Sequence, residues 1–156
     1  MPIGVKPSSN ILPRGMISSF SGPYAFLSNF YPCRVTFEDC PFPTVENGYQ
    51  AAKTENLIER VYFMNIEPAH AKRLGKKVVL RPDWEQIKEA VMFDLLRQKF
   101  EEPQMCEKLR STGGQSLIEG NWWHDNYWGS CRCPEHKGRV GKNRLGFLLM
   151  KLRDTL

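Results

Sequence analysis

The chain has 156 residues, 41% of them hydrophobic and 25% charged, a length and usage that suit one compact domain with a real core. No apolar run approaches the roughly 20 residues of a membrane-spanning helix, so no membrane association is expected. The net charge is +5, from 22 basic and 17 acidic residues, with small clusters at Lys72-Arg73, Lys76-Lys77 and Arg139 to Arg144. That balance favours anionic partners such as phosphates or nucleic acid, and ordinary surface solvation accounts for it equally well.

Residues 1–15 are rich in Pro, Gly and Ser and read as a flexible lead-in, with no secretory signal. Cys33, Cys40, Cys106, Cys131 and Cys133 make an odd count, which fits reduced thiols in an intracellular, cytoplasmic protein, or a nuclear one in a eukaryote. Residues 17–43 look like short strands and turns, with Arg34-Val35-Thr36-Phe37 alternating and Asp39-Cys40-Pro41 and Phe42-Pro43 as punctuation. Thr44 suits the N-cap of a helix reaching about Asn65. A second helix opens near Pro68 and ends at Gly75, and Lys77 to Arg81 suits a short extended piece. Asp83 and Gln86 resemble a capping box in front of a long helix, whose stripe of Trp84, Ile87, Val91, Met92, Leu95, Leu96 and Phe100 reads as core. Pro103 starts another helix that stops at Thr112-Gly113-Gly114, and Leu145, Leu148, Leu149 and Leu152 mark the last one. The expected fold class is α+β: a mainly helical single domain with a small β-sheet.

Five segments carry candidate chemistry. In Thr44 to Thr54, Glu46 and Lys53 are seven residues apart, so on a helix both project from one face with Gln50 between them and Tyr49 beside them. A solvated helix face explains such a pair, and so does a polar pocket floor. In the second reading the carboxylate moves protons and a half-buried amine attacks an electrophilic carbon. Ile118 to Gly129 reads as a structured loop whose Trp122 and Trp128 can stack on a base and whose Asp125 can orient a hydroxyl or a water. Packing of the loop by its own tryptophans is the plainer account. Ser28-Asn29-Phe30-Tyr31 offers a hydroxyl, an amide and two rings. Gly138 to Gly146 is a basic turn at a helix start, where anions are favoured, without the Gly-Lys-Ser/Thr ending of a P-loop. Cys131-Arg132-Cys133-Pro134-Glu135-His136 hints at zinc. A structural site needs four ligands, however, and Cys33, Cys40 and Cys106 stand alone, while His70, His124 and His136 form no metal-binding pair on one helix. No metal is therefore expected.

Taken in order, several motifs resemble the NADAR (YbiA-like) family. They are Phe26-Leu27-Ser28-Asn29-Phe30, Thr44-Val45-Glu46 with Tyr49-Gln50-Ala51-Ala52-Lys53, Ala71 to Gly75, and Arg81-Pro82-Asp83-Trp84 with Lys88 and Val91-Met92. Leu117 to Asn121, Asp125, Trp128-Gly129 and Gly141 to Gly146 with Leu149-Met150 complete the pattern. The resemblance implies a YbiA-like domain over residues 16–156 that hydrolyses N-glycosidic bonds and needs no cofactor. It implies as partner ADP-ribosylated guanine, in a nucleotide or DNA, or else a phosphorylated ribosylamino pyrimidine of riboflavin synthesis. It also implies a Schiff base between Lys53 and the ribose anomeric carbon. On this basis Glu46, Lys53 and Asp125 are the catalytic candidates. Ser28, Asn29, Phe30, Tyr49, Gln50, Arg73, Trp84, Lys88, Trp122, Trp128, Gly129 and Asn143 are the substrate-binding ones. A non-catalytic reader of ADP-ribose or nucleotides is the alternative of a different class, and no obligate protein partner is implied. Many members have His-Ala where this chain has Asn47-Gly48. Position 47 should point away from the Glu46–Lys53 stripe, and Gly48 should weaken the helix by about 1 kcal/mol relative to Ala.

Overall fold

The computed structural model describes residues 15–156, so the lead-in lies outside the described residues except for Gly15. In chain order the elements are β1 (Met16–Ile17), a 3-10 turn (Gly22–Leu27), β2 (Val35–Phe37), β3 (Cys40–Phe42), α1 (Val45–Ala52), α2 (Leu57–Tyr62) and α3 (Pro68–Leu74). They continue with α4 (Trp84–Lys99), α5 (Pro103–Arg110), β4 (Ser116–Leu117), β5 (Gly120–Asn121), β6 (Ser130–Cys131) and α6 (Arg144–Arg153). The fold is mixed α+β and mainly helical. Where one small sheet was expected, the described strands form three separate pairs: β1 with β4, β2 with β3, and β5 with β6. The described residues form two compact units, residues 29–105 and residues 15–28 with 106–156.

In the unit of residues 29–105, α1 is the central element. Its sequence includes Val45, Asn47 and Gly48, all poor helix formers, so its stability must come from packing and capping. Thr44 Oγ1 accepts from the Asn47 backbone N–H at 3.0 Å, as expected of an N-cap. All eight residues of α1 are buried, and the helix is in contact with α2, α3, α4 and the β2–β3 hairpin. A Cβ at Gly48 would stand 3.2 Å from Leu95 Cδ2, so the glycine lets α4 approach closely. Asn47 points away from the Glu46–Lys53 stripe, and its Nδ2 donates to Phe63 O and Ile66 O, both at 2.8 Å.

The expected long helix to Asn65 is in fact two. Thr54 Oγ1 accepts from the Asn56 N–H, and Asn56 Oδ1 accepts from the N–H groups of Ile58 and Glu59, restarting the chain as α2. Local side-chain acceptors compete with helix continuation at Thr and Asn, and here they win. The capping box at Asp83 is also corrected: its carboxylate makes no cap bond and pairs instead with Arg81 Nε at 2.7 Å. No strand forms over Lys77 to Arg81.

Trp84, Val91, Met92, Leu95, Leu96 and Phe100 of the stripe are core as expected, while Ile87 is only half-buried. Cys40-Pro41, read as punctuation, lies within β3, where a two-stranded ribbon leaves Pro41 an outer edge with no ladder bond to donate. The turn itself is Glu38-Asp39, both at positive φ (47° and 69°), as a tight two-residue hairpin requires. The Gln98 side chain on α4 exchanges two hydrogen bonds with the Thr36 backbone, closing part of the β2 edge.

In the other unit β1 pairs in parallel with β4, and α6 packs on β4. The approach is close: a Cβ at Gly146 would be 2.0 Å from Leu117 O. Leu145, Leu148, Leu149 and Leu152 form the buried face of α6, as the spacing predicts. β5 and β6, also parallel, bracket the segment that carries Trp122, Asp125 and Trp128.

Candidate active site

The site begins with α1, because a buried helix can hold a carboxylate, an amide and an amine in fixed register. Glu46, in the first turn, is 7% exposed, and its carboxylate Oε2 accepts from Gln50 Nε2 at 2.6 Å. Lys53 is the C-cap, with helical backbone, so its side chain continues the stripe one turn beyond Gln50. Its carbonyl accepts from the Arg81 N–H at 2.8 Å, which fixes the end of the helix. Its ammonium lies 5.6 Å from the centroid of the Tyr49 ring.

Burial holds the Lys53 ammonium below the ordinary lysine value. The Glu46 carboxylate opposes that shift, and the like charges of Lys76, Lys88 and Lys72 reinforce it. The result is an amine whose reactive neutral form is more accessible than in a free lysine, within the field of the Glu46 carboxylate.

Several polar atoms around α1 are buried without a partner: Gln50 Oε1, Asn29 Oδ1 and Arg81 Nη1. Leaving such groups unpaired is costly, and a ligand that supplies two donors and an anionic acceptor would satisfy all three. Asn29 is itself tied to the site, since its carbonyl accepts from the Glu46 N–H at 3.0 Å and its Nδ2 contacts Met92 Sδ at 3.6 Å. Arg81, whose buried Nη1 has no partner, was not among the expected substrate-binding residues, although it opens the Arg81-Pro82-Asp83-Trp84 motif that supplied Trp84.

Gly75 was expected merely to end a helix, yet its φ of −61° is ordinary helical backbone. What it provides is space: a Cβ there would lie 1.9 Å from Gln50 Oε1. Trp84, expected at the substrate, is 3% exposed and packs against Tyr49 with ring centroids 5.1 Å apart, so it supports the ring beneath Lys53. Lys88 pairs with Glu85 at 2.7 Å on α4 and Arg73 is exposed on the last turn of α3. Phe30 is 37% exposed.

The remaining predicted residues belong to the other unit. Ser28 closes the 3-10 turn, its N–H donating to Ala25 O. Asp125 Oδ1 accepts from the N–H groups of Tyr127 and Trp128, at 3.0 and 2.9 Å, which shapes the loop. Buried Asn121 organises the same loop, donating to Asp125 O and Glu119 Oε1 and accepting from the Trp123 and Asp125 N–H groups. Trp122 is 64% exposed, while Trp128 is half-buried and meets Tyr127 edge to face. Gly129 is buried, and its carbonyl accepts from the Asn143 N–H. Asn143 has a scaffold role: Oδ1 accepts from the Glu119 N–H and Nδ2 donates to Leu117 O, both at 2.9 Å. Its amide, expected at the polar edges of a substrate, is thus engaged with main chain.

The model of the NADAR domain matches residues 18–156. The chain is 34% identical to N-glycosidase YbiA of Escherichia coli strain K12, over all of this chain and 98% of that one. It is 31% identical to a riboflavin biosynthesis protein of Vibrio vulnificus, over 85% of this chain and 36% of that longer one. The solved NMR structure of E. coli YbiA superposes with a TM-score of 0.76, covering 91% of this chain and 84% of that chain at 34% identity.

Proposed function

This chain belongs to the NADAR family and is a hydrolase acting on N-glycosidic bonds, and from that premise we propose that it removes ADP-ribose from guanine bases through a Schiff base on Lys53. The observation that carries the reading is Lys53 itself: a half-buried amine held below the ordinary lysine value, over the Tyr49 ring and on the same helix face as Glu46.

In the proposed sequence the neutral Lys53 amine attacks the anomeric carbon of the ribose. The bond from that carbon to the base nitrogen breaks, and the base takes its electron pair. The proton that the amine sheds passes to the Glu46 carboxylate and on to the departing base. Opening of the ribose ring then gives a protonated imine on Lys53. Water adds to the imine carbon and the amine leaves, so one water is consumed and free ADP-ribose and base are formed. Gln50 Nε2 holds Glu46 in place for both transfers. Asn29 and Arg81, with their unpartnered buried atoms, bind hydroxyls and phosphate oxygens.

A second reading takes a phosphorylated ribosylamino pyrimidine as the substrate, and the Vibrio relative named for riboflavin biosynthesis favours it. Both substrates present a ribose anomeric carbon on nitrogen and a phosphate, so the same residues serve either. The test is to incubate the protein with an ADP-ribosylated guanine oligonucleotide and separately with the ribosylamino pyrimidine phosphate, each with and without borohydride. Turnover of the oligonucleotide and a reduced covalent adduct, lost in Lys53→Ala, are expected, with Glu46→Gln slowing turnover by roughly 10²–10⁴-fold. Turnover of the pyrimidine alone overturns the substrate assignment. Full activity in Lys53→Ala with no adduct overturns the Schiff base and leaves Glu46 activating water, in the manner of ordinary glycosidases.

A further inference from the structure

The segment of residues 118–136 contains a second constellation, independent of the glycosidase chemistry. The sequence places Cys131, Cys133 and His136 close together but shows no fourth ligand, since Cys33, Cys40 and Cys106 stand alone in it. The fold supplies it from another place: His124, seven residues before Cys131, turns back onto the same point. One ligand atom from each of His124, Cys131, Cys133 and His136 lies within 4.8 Å of all the others. We propose that these four residues bind one zinc ion, as a structural site that locks the loop carrying Trp122, Asp125 and Trp128.

Distances argue first. His124 Nδ1 and His136 Nδ1 are 3.4 Å apart, and Cys133 Sγ is 3.3 Å from the former and 3.2 Å from the latter. With Zn–N of about 2.0 Å and Zn–S of about 2.3 Å, a tetrahedron has N–N edges of about 3.3 Å and N–S edges of about 3.5 Å. Three of the four donor atoms therefore already mark one face of a zinc tetrahedron. Hydrogen bonding alone explains the triangle poorly, because each imidazole Nδ1 presents a single in-plane hydrogen or lone pair and cannot aim it along two edges of a closed triangle. Cys131 Sγ is the fourth vertex, and a small side-chain shift closes the set.

The surroundings of the sulfurs argue next. Cys131 and Cys133 are buried, at 2% and 6% exposure. The backbone N–H groups of His124 and Cys133 both donate to Cys131 Sγ, at 3.3 and 3.4 Å. Two donors aimed at one sulfur stabilise it as a thiolate, the form that ligates a metal. His124 also has a left-handed backbone, φ 70°, which a residue other than glycine keeps only where its surroundings impose it. Two thiolates and two imidazoles in tetrahedral array select zinc over hard cations such as Mg²⁺ or Ca²⁺.

The consequence is mechanical. Cys131 lies on β6, paired with Asn121 on β5, and His124 is the neighbour of Asp125. A metal held by His124 and the Cys131–His136 segment closes this loop at both ends.

The test is elemental analysis of the full chain, expressed with zinc in the medium and purified without chelators or metal resin. About one zinc per chain is expected, falling at least tenfold in Cys133→Ser and in His124→Ala but not in Cys33→Ser or Cys106→Ser. A second measurement needs no variant. Cobalt(II) added to the metal-stripped protein should give the intense visible bands of a tetrahedral site with a thiolate charge-transfer band. Wild-type protein with less than about a tenth of an equivalent of zinc and no such bands overturns the proposal, as does zinc retained undiminished in Cys133→Ser. Neither readout depends on catalysis, so the result stands or falls apart from the proposed function.

Discussion

Lys53 is the residue on which the proposed chemistry turns, and its titration can be read directly. Only the neutral amine attacks carbon, so the rate of borohydride trapping should rise through an inflection below the ordinary lysine value. Each neighbouring charge moves that inflection in a calculable direction. Glu46 stabilises the ammonium, so Glu46→Gln should shift it to lower pH. Lys76 destabilises the ammonium, so Lys76→Gln should shift it to higher pH. Trapping rate against pH for the three proteins checks both signs, and a shift of Glu46→Gln to higher pH contradicts the pairing. The same residue scale explains what the motif left illegible. That Glu46, Gln50 and Lys53 share a face follows from 3.6 residues per turn, but whether the face is wet or buried depends on α3 and α4, which lie well beyond the motif.

At the scale of elements, α1 and α3 meet where Gly75 faces Gln50. The gap is narrow enough that the smallest added side chain would displace the Gln50 amide. Gly75→Ala should therefore cost little stability, on the order of 1 kcal/mol, because the atom that yields is the end of a flexible side chain. It should cost more in turnover, because Gln50 Nε2 would lose its bond to Glu46. Urea denaturation beside steady-state kinetics separates the two, and unchanged kcat in Gly75→Ala would show that the Gln50–Glu46 bond is dispensable. Element boundaries were the part of the fold that the sequence conveyed least well. The break at Thr54-Glu55-Asn56 and the pairing of Asp83 with Arg81 are contests between local hydrogen bonds of similar strength, which composition does not resolve. The α4 and α6 stripes were legible because burial of one whole face leaves a periodic record.

For the molecule as a whole, stability depends on pH through Lys99, which is 1% exposed and pushed by burial down to about 7. Its folded value lies below its unfolded one, so above pH 7 the unfolded chain binds more protons and stability rises with pH. Below pH 7 both states are protonated and the contribution is flat at its lowest. Urea titrations should show a gain of about 1 kcal/mol between pH 7 and 8 in the wild type that is absent in Lys99→Met. Cys33, raised mainly by burial, acts in the opposite sense only above about pH 8.5, outside that window. An equal slope in both proteins would mean that Lys99 is charged in the folded state. Nothing in the sequence marked Lys99: on α4 it reads as a basic last turn, and only packing of the unit puts it inside. The family, the helical stripes and the Glu46–Lys53 register could all be read from residue order, because each is a short-range pattern set by helix geometry or motif spacing. The burial of Lys53, the orphaned atoms of Asn29, Gln50 and Arg81, and the meeting of His124 with Cys131, Cys133 and His136 could not. Each depends on segments distant in the chain or on a loop turning back on itself, and no local periodicity records such contacts.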